Sequence, residues 1–391
     1  MAENGKIKNI TENNDYPLSD EILDFGNSVI MPGFINIHCH LQFTNLDKSR
    51  LTENPEFGDW IIELINQYSS LSPLEKTKSF KDGLKQVILS GTTCLCNIAR
   101  EPEFTEILKN CGINCINFAE MFSNSGETGR SEFEQFKKTV NASEIGTVGA
   151  SPHSIYNTDK TLWNELFAYC KDNDILVQTH LAESTDETLW VNNKSSSIDK
   201  IHCFAGWDKK TPEIESLSPV EYVFNLNIPQ ILKNNLILAH LNQATPDDLK
   251  KTDNLGVNIA HCPRSNRILH KKTLDLKKIM DSGLFKHRIG LGTDSLFSNY
   301  DLSVFNEAKY ALKLNNLDFW QFFELLTDNP SKILKIDNKI GSLAIEKQAD
   351  FVIFNLNDDE NYTNILDKNA PDFVFLKGVK VVENGVLIID I

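Results

Sequence analysis

Short apolar runs that alternate with amphipathic stretches constrain the fold of this chain more than any other feature. We identify eight such runs, at 33–38, 92–98, 113–119, 146–151, 175–180, 236–240, 257–261 and 288–293. Strands that are buried on both faces need this nearly continuous apolar composition. Stretches of helical period lie between them, for example at 60–68, 81–89, 104–110, 160–171, 247–252 and 274–281. Eight strand–helix repeats predict an α/β fold, the (β/α)8 TIM barrel. The alternative is a doubly wound open sheet, but no Gly-x-Gly-x-x-Gly follows the first run.

The two ends of the chain have a different pattern. Residues 341–356 alternate in polarity and then become apolar, and 373–376 and 379–389 predict two further strands. Together with the first 30 residues, these segments predict a small β-sandwich that flanks the barrel. The predicted division is therefore a sandwich from 1–30 and 341–391, and a barrel domain from 31–340.

Reactive side chains stand at the ends of several apolar runs. His38 and His40 lie at the end of the first run, His180 ends the fifth and His240 ends the sixth, while Asp294 follows the eighth. In a strand, residues i and i+2 point to the same face, so His38 and His40 aim in one direction. A barrel brings the carboxyl ends of all its strands to one rim. Imidazoles and a carboxylate converging there predict a site for a divalent metal such as zinc.

The overall composition excludes several classes of function. The formal net charge is −15, from 39 Lys and Arg against 54 Asp and Glu, which argues against a nucleic-acid-binding surface. No apolar stretch is long enough to predict a membrane span, and the first residues lack an apolar signal region. The eight cysteines lie mostly in apolar runs and form no Cys-x-x-Cys pair. We therefore expect a cytoplasmic protein with reduced thiols, and the sequence leaves a homodimer open.

Four segments of the chain resemble the amidohydrolase superfamily. They are Pro32-Gly-Phe-Ile-Asn-Ile-His-Cys-His40, Thr179-His-Leu-Ala-Glu-Ser184, Ala239-His240 and Gly292-Thr-Asp-Ser295. Within the superfamily, the chain resembles the aminohydrolase branch, which contains adenosine-type, guanine, cytosine and S-adenosylhomocysteine deaminases and triazine hydrolases. The resemblance runs from about residue 25 to 360, and it implies the metal ligands His38, His40, His180 and Asp294. The metal would lower the pKa of a water molecule towards about 7.

The resemblance also implies how many metal ions are bound. Two-metal members need a carboxylated lysine near the end of strand four, and 146–151 contains no lysine. We therefore expect one divalent ion. Zinc is the default, and iron(II) is the alternative that the same ligands allow.

Three residues have an implied catalytic role. His240 would act as a base that orients the water, and Asp294 would accept the water's proton. Glu183, three residues past His180, would protonate a ring nitrogen of the bound heterocycle and pass a proton to the leaving ammonia. The structural alternatives are a buried core histidine for His240 and a helix N-terminal glutamate for Glu183.

Four residues are predicted to contact the substrate. The segment Ser151-Pro-His-Ser-Ile-Tyr156 resembles one in nucleoside-type deaminases, where His153 would reach a ribose hydroxyl or a purine edge; the alternative is a polar loop histidine. Ser295 stands beside Asp294. Arg264 and Arg267 follow strand seven, and a planar guanidinium binds carboxylates through two parallel hydrogen bonds. Either arginine could hold an acidic group of the substrate, or could be a surface residue.

The most specific resemblance concerns the substrate. Segments at 179–191, 217–222, 262–267 and 293–299 resemble the 6-aminodeoxyfutalosine deaminases of menaquinone biosynthesis, whose substrate is an adenine nucleoside bearing a benzoate. The resemblance thus implies a metal-dependent hydrolytic deaminase that releases ammonia from this purine nucleoside. The main alternative is a deaminase of S-adenosylhomocysteine, methylthioadenosine or 5′-deoxyadenosine, followed by guanine deaminase, chlorohydrolase or cyclic-amide hydrolase. A non-enzymatic metal-binding protein predicts a broken ligand set, whereas this set is complete.

Overall fold

Parallel strands and the helices between them make up most of this molecule. The computed structural model describes residues 2–390 except 13–20, 52–54, 145, 209–210, 213, 215 and 227. The strands in chain order are β1 (Ala2–Glu3), β2 (Lys6–Ile7), β3 (Ser28–Pro32), β4 (Phe34–Cys39), β5 (Thr92–Ala99), β6 (Asn114–Met121), β7 (Val148–Pro152), β8 (Val177–Leu181), β9 (Leu236–His240), β10 (Asn258–His261), β11 (Ile289–Leu291), β12 (Phe351–Asn355), β13 (Phe373–Leu376), β14 (Val379–Glu383) and β15 (Val386–Leu387).

Helices connect the parallel strands, as the periodicity predicts. Most begin at a side-chain cap: in the second helix, Ser72 and Glu75 form a reciprocal capping box ahead of Pro73. The helices are α1 (Phe57–Ser70), α2 (Pro73–Leu89), α3 (Glu103–Asn110), α4 (Gly126–Ala142), α5 (Lys160–Asp172), α6 (Thr185–Val191), α7 (Ile198–Phe204), α8 (Pro219–Asn225), α9 (Ile228–Leu232), α10 (Pro246–Asn254), α11 (Pro263–His270), α12 (Leu276–Asp281), α13 (Val304–Asn315), α14 (Phe319–Leu326) and α15 (Asp328–Ile333). The described helices include none that is both long and apolar enough to cross a membrane.

The eight strands from β4 to β11 form one parallel sheet in sequential order. The sheet closes because β11 and the residues after it return to β4. The backbone N–H groups of Thr293 and Asp294 both donate to the carbonyl of His38, at 2.9 and 3.0 Å. The predicted (β/α)8 barrel is confirmed, and each of the eight predicted apolar runs overlaps one of its strands.

Two apolar layers hold the barrel together. One cluster joins alternate residues of neighbouring strands, among them Ile35, Ile37, Cys94, Cys96 and Phe118. The other strand residues pack against the helices in a larger cluster. Because both faces of the strands are covered, their residues are almost all buried, which explains the continuous apolar runs. All eight cysteines are free thiols.

A second sheet flanks the barrel. It has five strands in the order β15-β14-β13-β12-β3, and β3 and β12 pair antiparallel. The short strands β1 and β2 form a separate two-stranded sheet. The predicted β structure from the two chain ends is thereby confirmed. Its division from the barrel at residues 30 and 341 stays a prediction, and residues 1, 13–20 and 391 of that predicted domain lie outside the described residues.

Gly33 lies at the junction between β3 of the flanking sheet and β4, the first barrel strand. A Cβ atom at this position would lie 2.1 Å from the hydroxyl oxygen of Thr93. The N–H of Gly33 donates to the carbonyl of Asp350, beside β12, at 3.0 Å. The chain therefore passes from one sheet to the other at a position where Thr93 leaves no room for a side chain. This close contact sets the position of β4, which leads to His38 and His40.

Candidate metal and active site

Three histidines and one aspartate converge at the carboxyl ends of the barrel strands. Ring nitrogens of His38, His40 and His180 all lie within 4.8 Å of one another. The Oδ1 atom of Asp294 is 3.9 Å from Nε2 of His38 and 3.7 Å from Nε2 of His40. His38 lies in β4 and His40 directly follows it, His180 lies in β8, and Asp294 lies three residues past β11, so closure of the barrel brings the four together. All four side chains are buried.

The backbone at this rim is strained. Four residues that are not glycine have positive φ angles there: Ala182 (51°), His240 (73°), Leu241 (54°) and Asp294 (58°). Side chains make this left-handed conformation costly, and it persists only where the surrounding structure imposes it. Such strain concentrates at functional sites, and here it turns the strand ends towards the centre of the rim.

Neighbouring groups orient two of the imidazoles. Nδ1 of His38 is hydrogen-bonded to the amide oxygen of Gln178, and Nδ1 of His180 donates to the carbonyl of His153 at 3.0 Å. Both rings therefore carry their proton on Nδ1 and direct the Nε2 lone pair into the cluster. Nε2 of His38 is buried and has no hydrogen-bond partner among the described residues. A buried nitrogen without a partner is costly, and a metal ion would satisfy it.

The electrostatics of the cluster favour neutral histidines. Burial and the neighbouring imidazoles lower the pKa of His38 well below its ordinary value, and burial also lowers the pKa of His180. Burial lowers the pKa of His40 to about 4, although Asp294 opposes the shift. Neutral imidazoles are the form that binds metals. The donor set therefore fits a divalent ion.

Two hydroxyl groups fix the carboxylate of Asp294. Ser265 and Ser298 donate to its Oδ2 at 2.6 and 2.8 Å, which leaves Oδ1 facing the histidines. Ser265 belongs to α11, which follows β10 directly. The segment Pro263-Arg-Ser-Asn266 therefore fixes the orientation of Asp294, one of the predicted metal ligands, through Ser265.

His240 and Glu183 stand next to the ligands. Nδ1 of His240 is 2.8 Å from Oδ1 of Asn266, while its Nε2 lies 3.9 Å from Oε1 of Glu183 and has no hydrogen-bond partner in the described part of the chain. Glu183 Oε1 also lies 3.1 Å from Nε2 of His270. Burial acts to raise the pKa of Glu183, but His240 and His270 outweigh it and hold the pKa below its ordinary value. Glu183 is thus a carboxylate at neutral pH.

The site opens into a cavity of about 400 Å³. His40, His180, Glu183, His240 and Asp294 line its floor, and the predicted substrate contacts His153 and Ser295 also line it. His153 stacks on His180 with the ring centroids 4.6 Å apart. The walls are largely aromatic and aliphatic, and include Phe43, Trp60, Leu64, Tyr68, Phe122 and Trp207. A concave, apolar cavity with a few polar groups at one end is typical of small-molecule sites.

The structure does not bring Arg264 or Arg267 into this cavity. Nε of Arg264 donates to Glu307 at 2.7 Å and its Nη2 donates to Asp301 at 2.6 Å, so both edges of the guanidinium are already paired. Arg267 is exposed, and its guanidinium bonds to the carbonyl of Lys271. Arg264 does not line the cavity, and its pairing with Glu307 and Asp301 argues against the predicted contact with substrate.

Four residues near the site are absent from the predicted site residues, although Glu120 directly follows the third predicted strand. Gln178 lies two residues before His180 on the same strand face, and this spacing was a usable signal. Arg100 follows β5 directly and Glu120 lies within β6, and both line the cavity. Burial raises the pKa of Glu120 to about 8. His270 is the fourth, and only the packing of α11 against the end of β8 could have revealed its contact with Glu183.

Comparison with known proteins is consistent with this geometry. The profile of the amidohydrolase family matches residues 29–381. An aminodeoxyfutalosine deaminase from Nitratiruptor sp. is 26% identical over 370 residues, which cover 90% of this chain and 86% of that protein. A 5-methylthioadenosine/S-adenosylhomocysteine deaminase from Pyrococcus abyssi is 25% identical over 95% of this chain and 83% of its own length. The crystal structure of Helicobacter pylori aminofutalosine deaminase in complex with methylthio-coformycin superposes with a TM-score of 0.78 at 23% identity, over 92% of this chain and 88% of that one.

Proposed function

Because the chain belongs to the amidohydrolase family, we propose that it is a metal-dependent hydrolytic deaminase of an adenine nucleoside, with 6-aminodeoxyfutalosine as its preferred substrate. One observation carries the proposal. His40, His180 and Asp294, three of the four proposed metal donors, line one cavity together with Glu183 and His240, and Nε2 of His240 has no hydrogen-bond partner among the described residues.

The proposed metal ligands are His38, His40, His180 and Asp294. The bound ion, zinc by preference and iron(II) as the alternative, supplies a Lewis acid that makes water nucleophilic at neutral pH. Gln178 and the carbonyl of His153 keep two of the imidazoles in the tautomer that binds it.

The chain's own residues then move the protons. Water adds to C6 of the adenine, the carbon that bears the amino group, and ammonia leaves. Both protons of the water remain with the products, one on N1 of the purine and one on the ammonia. We assign the first proton transfer to His240 and Asp294, because Nε2 of His240 and Oδ1 of Asp294 both face the floor. Glu183 is ionised, so it first takes up each of the two protons that come from the water, and it then delivers one to N1 and the other to the leaving ammonia. Its carboxylate lies at the same end of the cavity, 3.9 Å from Nε2 of His240.

Arg100 supports a substrate that bears a carboxylate. It is the one lysine or arginine among the described residues that line the cavity. Its guanidinium lies 5.2 Å from the ring centroid of Phe122, and its Nη2 donates to Glu132 at 2.8 Å. The side chain of Arg100 is 47% exposed, and its guanidinium has further donors available. In place of Arg264, we assign Arg100 to the benzoate of 6-aminodeoxyfutalosine, whose aromatic ring would pack on the apolar wall.

The second candidate is a deaminase of S-adenosylhomocysteine, methylthioadenosine or 5′-deoxyadenosine. The Pyrococcus relative supports it to the same degree of identity. The same metal donors would serve this reaction, and S-adenosylhomocysteine also bears a carboxylate. Menaquinone biosynthesis belongs to the first candidate alone, whereas the expected cytoplasmic location suits both candidates.

The test is ammonia release by metal-loaded enzyme on six substrates. The panel contains 6-aminodeoxyfutalosine, S-adenosylhomocysteine, methylthioadenosine, 5′-deoxyadenosine, adenosine and guanine. We expect the highest kcat/KM on the first. A preference for the adenosyl thioethers would support the second candidate. Absence of turnover on the whole panel would contradict nucleoside deamination and favour a chlorohydrolase or a cyclic-amide hydrolase.

A further inference from the structure

His270 makes a direct contact with the proposed acid/base residue. It is the last residue of α11, its side chain is 6% exposed, and its Nε2 lies 3.1 Å from Oε1 of Glu183. A carboxylate carries no hydrogen, so the imidazole N–H must donate. A hydrogen bond between a buried donor and a charged acceptor is stronger than a neutral one and fixes the side chain that accepts it.

The same helix face also holds His240. Asn266 accepts from Nδ1 of His240 at 2.8 Å, and Asn266 and His270 are four residues apart on α11. Residues at this spacing lie on one face of a helix. The carboxylate of Glu183 therefore sits between two imidazoles, at 3.1 Å from His270 and 3.9 Å from His240, and a single helical turn places both.

Ion pairs of Arg264 with two acidic residues hold the start of α11 in place. Glu307 accepts from the backbone N–H of Arg264 at 3.0 Å and from its Nε at 2.7 Å, and Asp301 holds the other edge of the guanidinium. At the opposite end, the ring of Phe57 covers His270 with the centroids 5.4 Å apart. Contacts therefore hold both ends of α11. Because the helix is fixed, the separation of Asn266 and His270 sets the relative positions of His240 and Glu183, which these two residues contact.

We infer that His270 is a positioning residue, which holds the carboxylate of Glu183 in place for proton transfer through its Nε2–H. This inference rests on the proposed function, in which Glu183 carries the proton. His270 is not among the residues that line the cavity, so it acts through Glu183.

Two substitutions of His270 separate positioning from packing. His270→Leu keeps an apolar side chain of similar size but removes the donor, whereas His270→Gln keeps an N–H donor. We expect His270→Leu to lower kcat by about 10- to 100-fold, the effect of losing a hydrogen bond to a buried charge, with KM within about 2-fold. His270→Gln should restore kcat to within about 3-fold of the wild type. His287→Gln, a histidine away from the site that contacts Asn329, is the matched control.

Melting temperature and bound metal are measured for each variant, and crystal structures report the position of Glu183. We expect the carboxylate of Glu183 to leave its wild-type position in His270→Leu and to keep it in His270→Gln. An unmoved carboxylate in His270→Leu would overturn the inference even if no substrate of the panel is turned over. Unchanged kcat in His270→Leu, with an active wild type, would overturn it while leaving the proposed function intact.

Discussion

At the scale of single residues, burial and neighbouring groups set the protonation states within the candidate site. The imidazoles of His38, His40 and His180 are neutral because burial lowers their pKa values, whereas Glu183 stays ionised because His240 and His270 face it. Several perturbed pKa values within one site are typical of acid/base chemistry. Each residue can therefore be tested by a substitution that changes one property.

Glu183→Gln removes the proton carrier and keeps its size. We expect the bound metal to be unchanged and turnover to fall by at least about 100-fold, the usual contribution of a positioned acid or base. Glu106→Gln, on an exposed face of α3, is the matched control. Full activity of the Glu183 variant would contradict the proposed mechanism.

Arg100→Met keeps the length of the side chain and removes its charge. We expect KM for 6-aminodeoxyfutalosine to rise by about 10-fold or more, as expected for the loss of a charge-assisted hydrogen bond, and KM for plain adenosine to stay within about 2-fold. The measurement is steady-state kinetics on both nucleosides. Equal effects on the two would remove the assignment of the benzoate to Arg100.

Glu187 makes stability depend on pH. It accepts from the backbone N–H of Glu183 at 2.8 Å, and burial raises its pKa to about 8 from an ordinary value of 4.5. Between these pH values the folded protein holds a proton that the unfolded chain has lost, so stability falls as pH rises from about 5 to 8. Glu187→Gln keeps the acceptor and should weaken this decrease by about 2 kcal/mol. Urea unfolding at pH 5.5 and pH 8 measures it, and identical pH dependence in both proteins would refute it.

At the scale of elements, the junction between β4 and β11 is what assembles the site. β4 carries His38, the residues after β11 carry Asp294, and their backbones are joined through the carbonyl of His38. Gly292 allows this approach, because a Cβ atom there would lie 2.5 Å from Cβ of His38 and 2.7 Å from its carbonyl oxygen. The geometry of the proposed ligands therefore depends on how closely the segment after β11 approaches β4.

Gly292→Ala should push the two strands apart. We expect a loss of stability of about 1–3 kcal/mol, the usual cost of overpacking, together with weaker metal binding, since His38 and Asp294 both move. Chemical denaturation and competition with a chelator measure the two effects. Gly126→Ala at the start of α4, where the nearest side-chain atom is 3.0 Å away, is the control. Unchanged metal affinity in the Gly292 variant would show that closure does not set the ligand geometry.

At the scale of the whole molecule, a column of phenylalanines joins the barrel to the flanking sheet. Phe34 of β4 stacks on Phe305 of α13 with the centroids 5.3 Å apart, and Phe305 packs on Phe354 of β12 at 5.2 Å. All three side chains are fully buried. We therefore expect the two sheets to unfold together.

Phe354→Ala tests this coupling. Truncating a buried phenylalanine costs about 3–5 kcal/mol, and we expect calorimetry to show one transition at a lower temperature. Phe354→Leu should cost less, because it leaves a smaller cavity. A separate early transition, with the barrel melting at its wild-type temperature, would instead indicate that 1–30 and 341–391 form an independent domain.

The apolar runs in the sequence are enough to predict the barrel and the strand ends at which the reactive residues lie. A strand buried on both faces must be apolar throughout, so the eight runs were visible without any tertiary information. The spacing of His38 and His40 then followed from the alternation of side chains along a strand. The catalytic and ligand roles of these residues stay predictions, although the structure brings all of them to one rim.

The tertiary structure alone decided which charged side chains are free to meet a substrate. Arg264 stands in a segment suited to bind a carboxylate, yet Glu307 and Asp301, which lie 43 and 37 residues away, already pair with it. Arg100 reaches the cavity from another strand, and His270 meets Glu183 across 87 residues. The local pattern of apolar residues predicts each helix or strand. The partner of a charged side chain depends instead on which elements pack together, and this packing exists only in the closed barrel.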